Sequence, residues 1–346
     1  MLHEEAVPAL FHKLNVPSTS VAMSKLMYPP LETESSVNGR GKNIEKERAH
    51  NLLTVKWAHA INCQQLLDEA LNGDYDMIEA DIVLGKVFNN SPVMPIMAHP
   101  PLTSSDLSLD SFLLQIKLFN LNNPIKMKGV KLDFKSIDVF EGALDTLKLV
   151  IPEMTYPVWL NADIIEHTGK GIRAKPVNPK RFLAGCMQFK KAVLSIGWTT
   201  SEGPIEDSYT PDDITAMLTV IKENKIDESG LSITFPVRAG LAANSQKVLH
   251  DLIRQVEVTN RCTITIWSAP SDCVDTEKLD ELILFFGPNR VYLDVPAALE
   301  NQLNLPGLRT NVCNSLGVGP CTSLLYFSLA SIGVILISLL VKKSRI

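Results

Sequence analysis

Residues 129–135, with the sequence GVKLDFK, predict a strand whose two faces differ in chemistry. Alternate side chains of a strand share a face, so Lys131, Asp133 and Lys135 point one way, while the intervening leucine and phenylalanine point the other way. The apolar face suits packing beneath helices. The charged face then points into an enclosed space, where charges are costly unless they are paired or bound to a metal. This stretch therefore predicts a closed sheet with charged side chains on its inner face.

Strand-like runs alternate with amphipathic helical stretches from Leu52 to about residue 303. Eight runs lie at Leu53–Ala58, Met77–Leu84, Gly129–Phe134, Pro157–Asn161, Val193–Trp198, Leu231–Val237, Thr263–Ser268 and Arg290–Val295. A ninth run, Val93–Ala98, follows the second so closely that we interpret it as an excursion or hairpin. This order predicts an α/β protein with a TIM-type (β/α)8 barrel. A doubly wound sheet is the alternative, but it usually has a glycine-rich loop after its first strand, and WAHAIN at residues 57–62 has no glycine.

The remaining chain is divided by composition. Residues 1–50 predict a mobile N-terminal arm, because they contain proline-, serine- and glycine-rich stretches and a charged run. The barrel is predicted over residues 51–303, and residues 304–321 suit a linker. Residues 322–341 predict a C-terminal transmembrane helix, since they include the uncharged run LLYFSLASIGVILISLLV. A buried core helix is the alternative there, and residues 342–346 form a basic tail.

The membrane side of the barrel stays open. No apolar signal-peptide core is seen near the N-terminus, which favours a tail anchor with the barrel in the cytosol. The basic residues Lys342, Lys343 and Arg345 instead prefer the cytosol, which would place the barrel outside. The net charge of −5 argues against nucleic acid as the main partner.

Polar residues recur where the predicted strands end, which is where barrel enzymes place their active sites. The set comprises His59, Glu79, Asp81, His99, Asp133, Lys135, Asn161, Arg238, Trp267 and Asp294. Three of these carboxylates, Glu79, Asp81 and Asp133, make a suitable oxygen-ligand set for Mg²⁺ or Ca²⁺. Two histidines can supply a general acid and a general base. We interpret Glu166 and His167, which lie near these strand ends, as loop surface.

Cations among these residues complete the expected chemistry. Lys135 and Arg238 can hold an anionic group, Asn161 can orient a substrate, and Trp267 and Asp294 are further substrate-binding candidates. A divalent metal, two histidines and two cations together suggest phosphodiester chemistry, because charge on the phosphoryl oxygens is then stabilised.

The sequence closely resembles the menorin family over nearly all of residues 52–296. The matching strings are WAHAIN (57–62), IEAD (78–81), PIMAHPP (95–101), GVKLDFK (129–135), WLNAD (159–163), GWTT (197–200), TFPVR (234–238), TIW (265–267) and VYLDV (291–295). Its pocket motifs are more distantly similar to those of glycerophosphodiesterases and spider-toxin phospholipases D. These resemblances imply a metal on Glu79, Asp81 and Asp133 and catalytic roles for His59 and His99.

The chain departs from the glycerophosphodiesterase pattern after both histidines. Ala60-Ile61 replaces the usual Arg-Gly, and Pro100 replaces the usual acidic residue.

Two hypotheses about function follow. The first is a membrane-anchored, metal-dependent phosphodiesterase acting on a lipid or glycerophosphodiester. The second is a non-catalytic extracellular interaction module, since the family resemblance implies action within cell-surface adhesion complexes that shape neurites.

Overall fold

The computed structural model describes residues 51–88, 91–169, 174–201 and 207–305. The predicted arm, the transmembrane helix, the basic tail and the linker beyond residue 305 lie outside these ranges. Among the helices within them, none is both long and apolar enough to cross a membrane.

Eight parallel strands form the central sheet, as predicted. The strands are β1 Trp57–Ala58, β2 Met77–Gly85, β3 Met94–Met97, β4 Gly129–Phe134, β5 Val158–Glu166, β6 Val193–Thr199, β7 Ile233–Arg238, β8 Cys262–Trp267 and β9 Val291–Asp294. Their hydrogen-bonded order is β1-β2-β4-β5-β6-β7-β8-β9, and every neighbouring pair in it is parallel. The ninth run, β3, pairs antiparallel with β2 and therefore forms a hairpin, which was one of its two predicted forms.

The helices lie between the strands. They are α1 Gln64–Asn72, α2 Leu109–Asn122, α3 Ile137–Val150, α4 Pro179–Cys186, α5 Pro211–Glu223, α6 Ala239–Ala242, α7 Gln246–Val256, α8 Thr276–Phe286 and α9 Ala297–Glu300. Outward strand side chains are buried beneath them: Phe134 of β4 packs edge-on against Phe140 of α3, with ring centroids 5.0 Å apart. This burial of apolar strand faces is the main favourable term for the fold.

Side chains hold the seam between the first and last strands of the sheet. Within the described residues, no ladder of backbone hydrogen bonds joins β1 to β9. The rings of Trp57 and Tyr292 meet edge-on across the seam, with centroids 6.1 Å apart. The Leu52 backbone N–H donates to the carbonyl of Pro288 at 2.7 Å. The eight strands therefore form a near-closed barrel, which fits a TIM-type fold.

An aromatic cluster fills the lower end of the barrel interior, by which we mean the end where the parallel strands begin; the upper end is the one where they finish. Trp57 contacts Trp159 at 5.2 Å between ring centroids, and Trp159 contacts Tyr292 at 4.9 Å. Leu52 and Met77 pack into the same cluster. These large side chains give the charged upper interior an apolar floor, and they exclude water from below.

The prediction that His167 lies on a loop surface is wrong, because His167 is buried. Glu166 is exposed as predicted, but it ends β5 and does not lie in a loop. An irregularity in β5, between Asp163 and Ile165, shifts the register with β6 by one residue. This shift reverses the alternation of inward and outward side chains, because a bulge adds one unpaired residue. His167 is consequently only 1% exposed, and its Nδ1 lies 2.9 Å from the carboxylate of Asp213 at the start of α5.

Asp213 connects the end of β5 to α5. The Thr210 hydroxyl accepts from the Asp213 backbone N–H, and the Asp213 carboxylate accepts from the Thr210 backbone N–H, so the two residues form a capping box. Burial opposes ionisation of Asp213, but hydrogen bonds from His167, Thr210 and Thr168 outweigh it and lower the pKa of Asp213 to about 2. The ionised carboxylate therefore stabilises the fold at pH values above its unfolded-state pKa.

We predict that Asp213→Asn lowers the free energy of unfolding by about 2 kcal/mol at neutral pH. The difference from the wild type should persist down to about pH 4 and shrink as the pH falls through 2, because the native carboxylate then becomes protonated. Denaturant unfolding across this pH range measures it. Asp145→Asn is the control, since Asp145 is exposed and pairs only with a neighbouring lysine. An equal loss at pH 7 and at pH 2 would contradict the prediction.

Candidate active site

Three carboxylates from neighbouring strands converge at the upper end of the barrel. Asp81 of β2 is the direct register partner of Asp133 of β4, and Glu79 lies two residues earlier on the same face of β2. One oxygen from each of the three groups lies within 4.8 Å of the others. The predicted ligand residues are therefore brought together, and Glu79 and Asp81 are buried. We call Glu79, Asp81 and Asp133 the carboxylate triad.

The loop after β1 is fastened to the triad by hydrogen bonds. The Ala60 backbone N–H donates to Glu79 Oε2 at 2.8 Å, and Ala60 has a φ of 57°, which is uncommon for a residue with a Cβ. Asn62 Nδ2 donates to Asp81 Oδ2 at 2.7 Å and its Oδ1 accepts from the Asp81 backbone N–H at 2.9 Å. A strained backbone conformation of this kind persists only where its surroundings fix it. The loop is thus held in a position that directs His59 into the mouth.

His59 lies among acidic groups. Its Nδ1 is 3.0 Å from Asp294 Oδ1 of β9 and 3.5 Å from Glu79 Oε2. Burial lowers the pKa of His59, but the charges of Glu79 and Asp294 outweigh this effect and raise the pKa to about 10. Asp294 also accepts from Lys131 Nζ at 3.4 Å. Asp294, a predicted substrate-binding residue, therefore contacts the predicted catalytic histidine.

The β2–β3 hairpin carries His99 to the same end of the barrel. The Ala98 backbone N–H donates to the Asp81 carbonyl at 3.0 Å, which ties the chain after β3 to the triad. His99 follows at once, and its side chain is exposed. Its Nδ1 lies 2.7 Å from the Pro100 carbonyl oxygen. A solvent-accessible histidine beside Asp81 is placed to exchange protons with a bound ligand.

Lys135 and Asn161 organise the outer oxygens of the triad. Lys135 Nζ lies 2.6 Å from both Asp81 Oδ1 and Asp133 Oδ2. Burial lowers the pKa of Lys135, but these carboxylates raise it well above its usual value. Asn161 Nδ2 donates to Asp133 Oδ1 at 2.8 Å and accepts from the hydroxyl of Ser195. Each of these contacts fixes the direction in which a carboxylate points.

The donor chemistry of the triad suits a divalent cation. Hard oxygen ligands are those that Mg²⁺ and Ca²⁺ prefer. Burial raises the pKa of Glu79 to about 7, and the nearby charges of Asp81 and Asp133 add to this rise against the opposing effect of His59. A cation held between these groups would favour the ionised form of Glu79, because an opposite charge nearby stabilises a carboxylate. Glu79, Asp81 and Asp133 fit a metal ion.

Two predicted substrate-binding residues lie together on β7 and β8. The Arg238 guanidinium forms a bidentate ion pair with Asp272 and lies 5.1 Å from the ring centroid of Trp267. For the part of the chain that the structure describes, no direct contact between these residues and the triad is found. Arg238, which is buried, and Trp267 therefore form a group separate from the triad, and Asp272 already balances the charge of the guanidinium.

The sequence places Lys131 on the inward face of its strand and Asp163 at a strand end, but it gives neither residue a catalytic or binding role; both face the barrel interior. Lys131 Nζ lies 5.8 Å from the ring centroid of Trp57, above the aromatic floor. Burial raises the pKa of Asp163 to about 7, with a further contribution from Asp133. A Cβ on Gly197 would meet Asp163 Oδ1 at 2.9 Å, so the glycine leaves room for this carboxylate. Lys131 shares the inward face of its strand with Asp133, and Asp163 shares that of its strand with Asn161, so the alternation of side chains could have indicated both.

One protein family and one human relative each match most of this chain. The chain is 34% identical to the human protein FAM151B over 246 residues, which are 70% of this chain and 82% of that protein. A solved GH26 domain of an endo-β-mannanase/endo-β-glucanase from Prevotella bryantii covers 74% of this chain and 90% of its own, with 8% identity and a TM-score of 0.39. The family description "Menorin N-terminal domain" matches residues 51–300. A match over most of the chain, with the human relative, establishes that this protein belongs to the menorin family.

Proposed function

We propose that this protein is a metal-dependent phosphodiesterase that acts on a lipid or glycerophosphodiester. One observation carries the proposal: the carboxylate triad has ligand oxygens within 4.8 Å of one another, and it is contacted by the His59 side chain and by the backbone next to His99. A cation site flanked by two proton-transfer groups suits attack on a phosphodiester.

The chain's own residues would divide the work as follows. One histidine of His59 and His99 takes the proton of the attacking oxygen, either of water or of a neighbouring substrate hydroxyl. The other gives a proton to the leaving oxygen as a new P–O bond forms and the old one breaks. Mg²⁺ or Ca²⁺, held by the triad, would stabilise negative charge on the phosphoryl oxygens. Lys135 would bind the phosphate, and its ammonium already lies at the triad.

Asp294 and Asn161 support this arrangement by orientation. Asp294 accepts from His59 Nδ1, which fixes the ring and leaves Nε2 to face a ligand. Asn161 would orient substrate at Asp133, to which it already donates a hydrogen bond. Arg238 and Trp267 would contact a more distant part of the substrate.

We further propose that the barrel is anchored to a membrane by residues 322–341, on the extracellular or luminal side. The uncharged run in that segment and the three basic residues after it support the anchor and its orientation. A membrane tether would keep the barrel close to lipid.

A second candidate function is a non-catalytic interaction module that binds cell-surface adhesion proteins. The observation that favours it is that few cationic side chains are available to bind an anion. Arg238 is taken up by Asp272, and the position after His59 carries Ala60 where related phosphodiesterases have arginine. A pocket poor in available cations would bind phosphate weakly.

The full chain should hydrolyse at least one member of a panel of glycerophosphodiesters, lysophospholipids and sphingomyelin, with Mg²⁺ or Ca²⁺ present. His59→Ala and Asp133→Asn should each lower the rate about 100-fold or more, since each removes a proton-transfer group or a ligand. Product release measured by mass spectrometry checks this. Asp145→Asn, an exposed carboxylate outside the site, should keep full activity. Turnover that survives both site variants would exclude the proposed mechanism.

Metal binding can be measured separately from turnover. Mg²⁺ or Ca²⁺ should raise the melting temperature of the wild type, because a ligand that binds only the folded state stabilises it. Asp133→Ala should remove this shift, while Asp145→Ala should keep it. A metal-induced shift without any turnover across the panel would favour the interaction module, and no shift at all would argue against the metal site.

Asp294→Asn should lower kcat about 10-fold while KM changes little, because the variant keeps the shape of the side chain but no longer stabilises His59 in its orientation. Steady-state kinetics on the best panel substrate measure both constants. Asp272→Asn, which loosens Arg238 on the other side of the mouth, should change KM instead. Equal changes of both constants in Asp294→Asn would mean that Asp294 binds substrate directly.

A further inference from the structure

Three large apolar side chains protrude beside the candidate active site. Phe88 is 73% exposed, Val93 is 63% exposed and Leu102 is 60% exposed. Phe88 and Val93 belong to the connection between β2 and β3, and Leu102 lies in the loop that follows His99. We call these three residues the apolar rim. Apolar side chains that protrude together from neighbouring loops are candidates for a surface that meets a partner or a membrane.

The backbone beneath the apolar rim is well fastened. The Lys86 backbone N–H donates to the Thr103 carbonyl at 3.0 Å, and the Ser105 backbone N–H donates to the Lys86 carbonyl at 3.2 Å. The Ser91 hydroxyl accepts from the Val87 backbone N–H at 3.0 Å. These bonds join the hairpin to the loop after His99, so the three apolar side chains are presented by one connected support.

The charge of this region differs from that of the rest of the protein. The chain contains 38 acidic residues, yet no aspartate or glutamate occurs from Ile82 to Ser105. The charged side chain in that stretch is Lys86, which is exposed. A stretch of chain with exposed apolar residues, one lysine and no acidic residue complements phosphate-bearing headgroups.

The apolar rim is continuous with the candidate active site. His99 lies three residues before Leu102, and the backbone bond from Ala98 to Asp81 fixes this segment at the triad. A phosphodiester bound at the triad would therefore lie close to the segment that carries the rim. The side chains of the rim protrude from a turn and a loop, a shape that suits entry into a fluid apolar layer.

We propose that the apolar rim enters the boundary between headgroups and acyl chains of a phospholipid bilayer. Bilayer contact follows from the rim's exposure and charge alone. The further statement, that the substrate is a phosphodiester of a membrane lipid reached from that surface, rests on the proposed function. Of the two substrate classes named above, this selects the lipid over the water-soluble glycerophosphodiester.

Tryptophan fluorescence in vesicles tests bilayer contact without any need for catalysis. The full chain, as Phe88→Trp, is reconstituted in phosphatidylcholine vesicles with and without brominated acyl chains, which quench tryptophan on contact. Ile125→Trp is the matched control, since Ile125 is 92% exposed and lies before β4, at the opposite end of the barrel. We expect brominated lipid to reduce the emission of Phe88→Trp more than that of the wild type, and to leave Ile125→Trp equal to the wild type.

Equal emission of Phe88→Trp in brominated and ordinary vesicles would overturn bilayer contact and leave a protein as the partner of this surface. The same measurement on Phe88→Trp combined with Asp133→Ala should still show quenching. If it does while the wild type hydrolyses nothing, the proposed function fails and the membrane contact stands.

A triple variant, Phe88→Ser, Val93→Ser and Leu102→Ser, tests the substrate class. Hydrolysis of lipid in vesicles should fall about 10-fold or more, because apolar area that would enter the bilayer is lost. Hydrolysis of a short-chain, water-soluble analogue should stay within about twofold of the wild type, as should the melting temperature. An equal loss on both substrates would overturn selection of a membrane lipid by the rim.

Discussion

The upper interior of this barrel depends on the compensation of buried charge. Carboxylates from β2, β4 and β9 and the ammonium groups of Lys131 and Lys135 share a largely buried space, and isolated charges there would be costly. Each group is therefore engaged by at least one neighbour: Asp294 joins His59 to Lys131, and Lys135 joins Asp81 to Asp133. Glu79, Asp81 and Asp133 bring three oxygen ligands together in this space, and this donor set is what suits the triad to a cation.

The rest of the fold serves this charged space. The aromatic floor of Trp57, Trp159 and Tyr292 closes this space from below. The apolar outer faces of the strands pack against the helices and so hold the barrel wall in place. The left-handed backbone at Ala60 and the paired hydrogen bonds of Asn62 bring the first loop over the triad. A rigid scaffold with loops gathered at one end is the usual way in which barrels hold reactive groups.

Much of this arrangement could be predicted from sequence, because period-two alternation is a local property. In GVKLDFK it placed Asp133 inside and Phe134 outside, and both placements are observed. The partner choice of long side chains could not be read in this way. Nothing local to Arg238 indicates that Asp272 binds it, since the two meet only through the fold. His167 was misplaced for a different reason: a bulge in β5 changes the alternation by one residue, and no turn signal marks it.

The seam between β1 and β9 has a consequence for the dynamics of the molecule. β1 has two residues and is hydrogen-bonded along its length to β2, whereas side chains join it to β9. Local opening is easiest where few backbone bonds must break. The weakest contact between neighbouring strands of the barrel therefore lies between β1 and β9, and His59 and Asp294 face each other across it. Opening of the barrel at this point would also separate that pair.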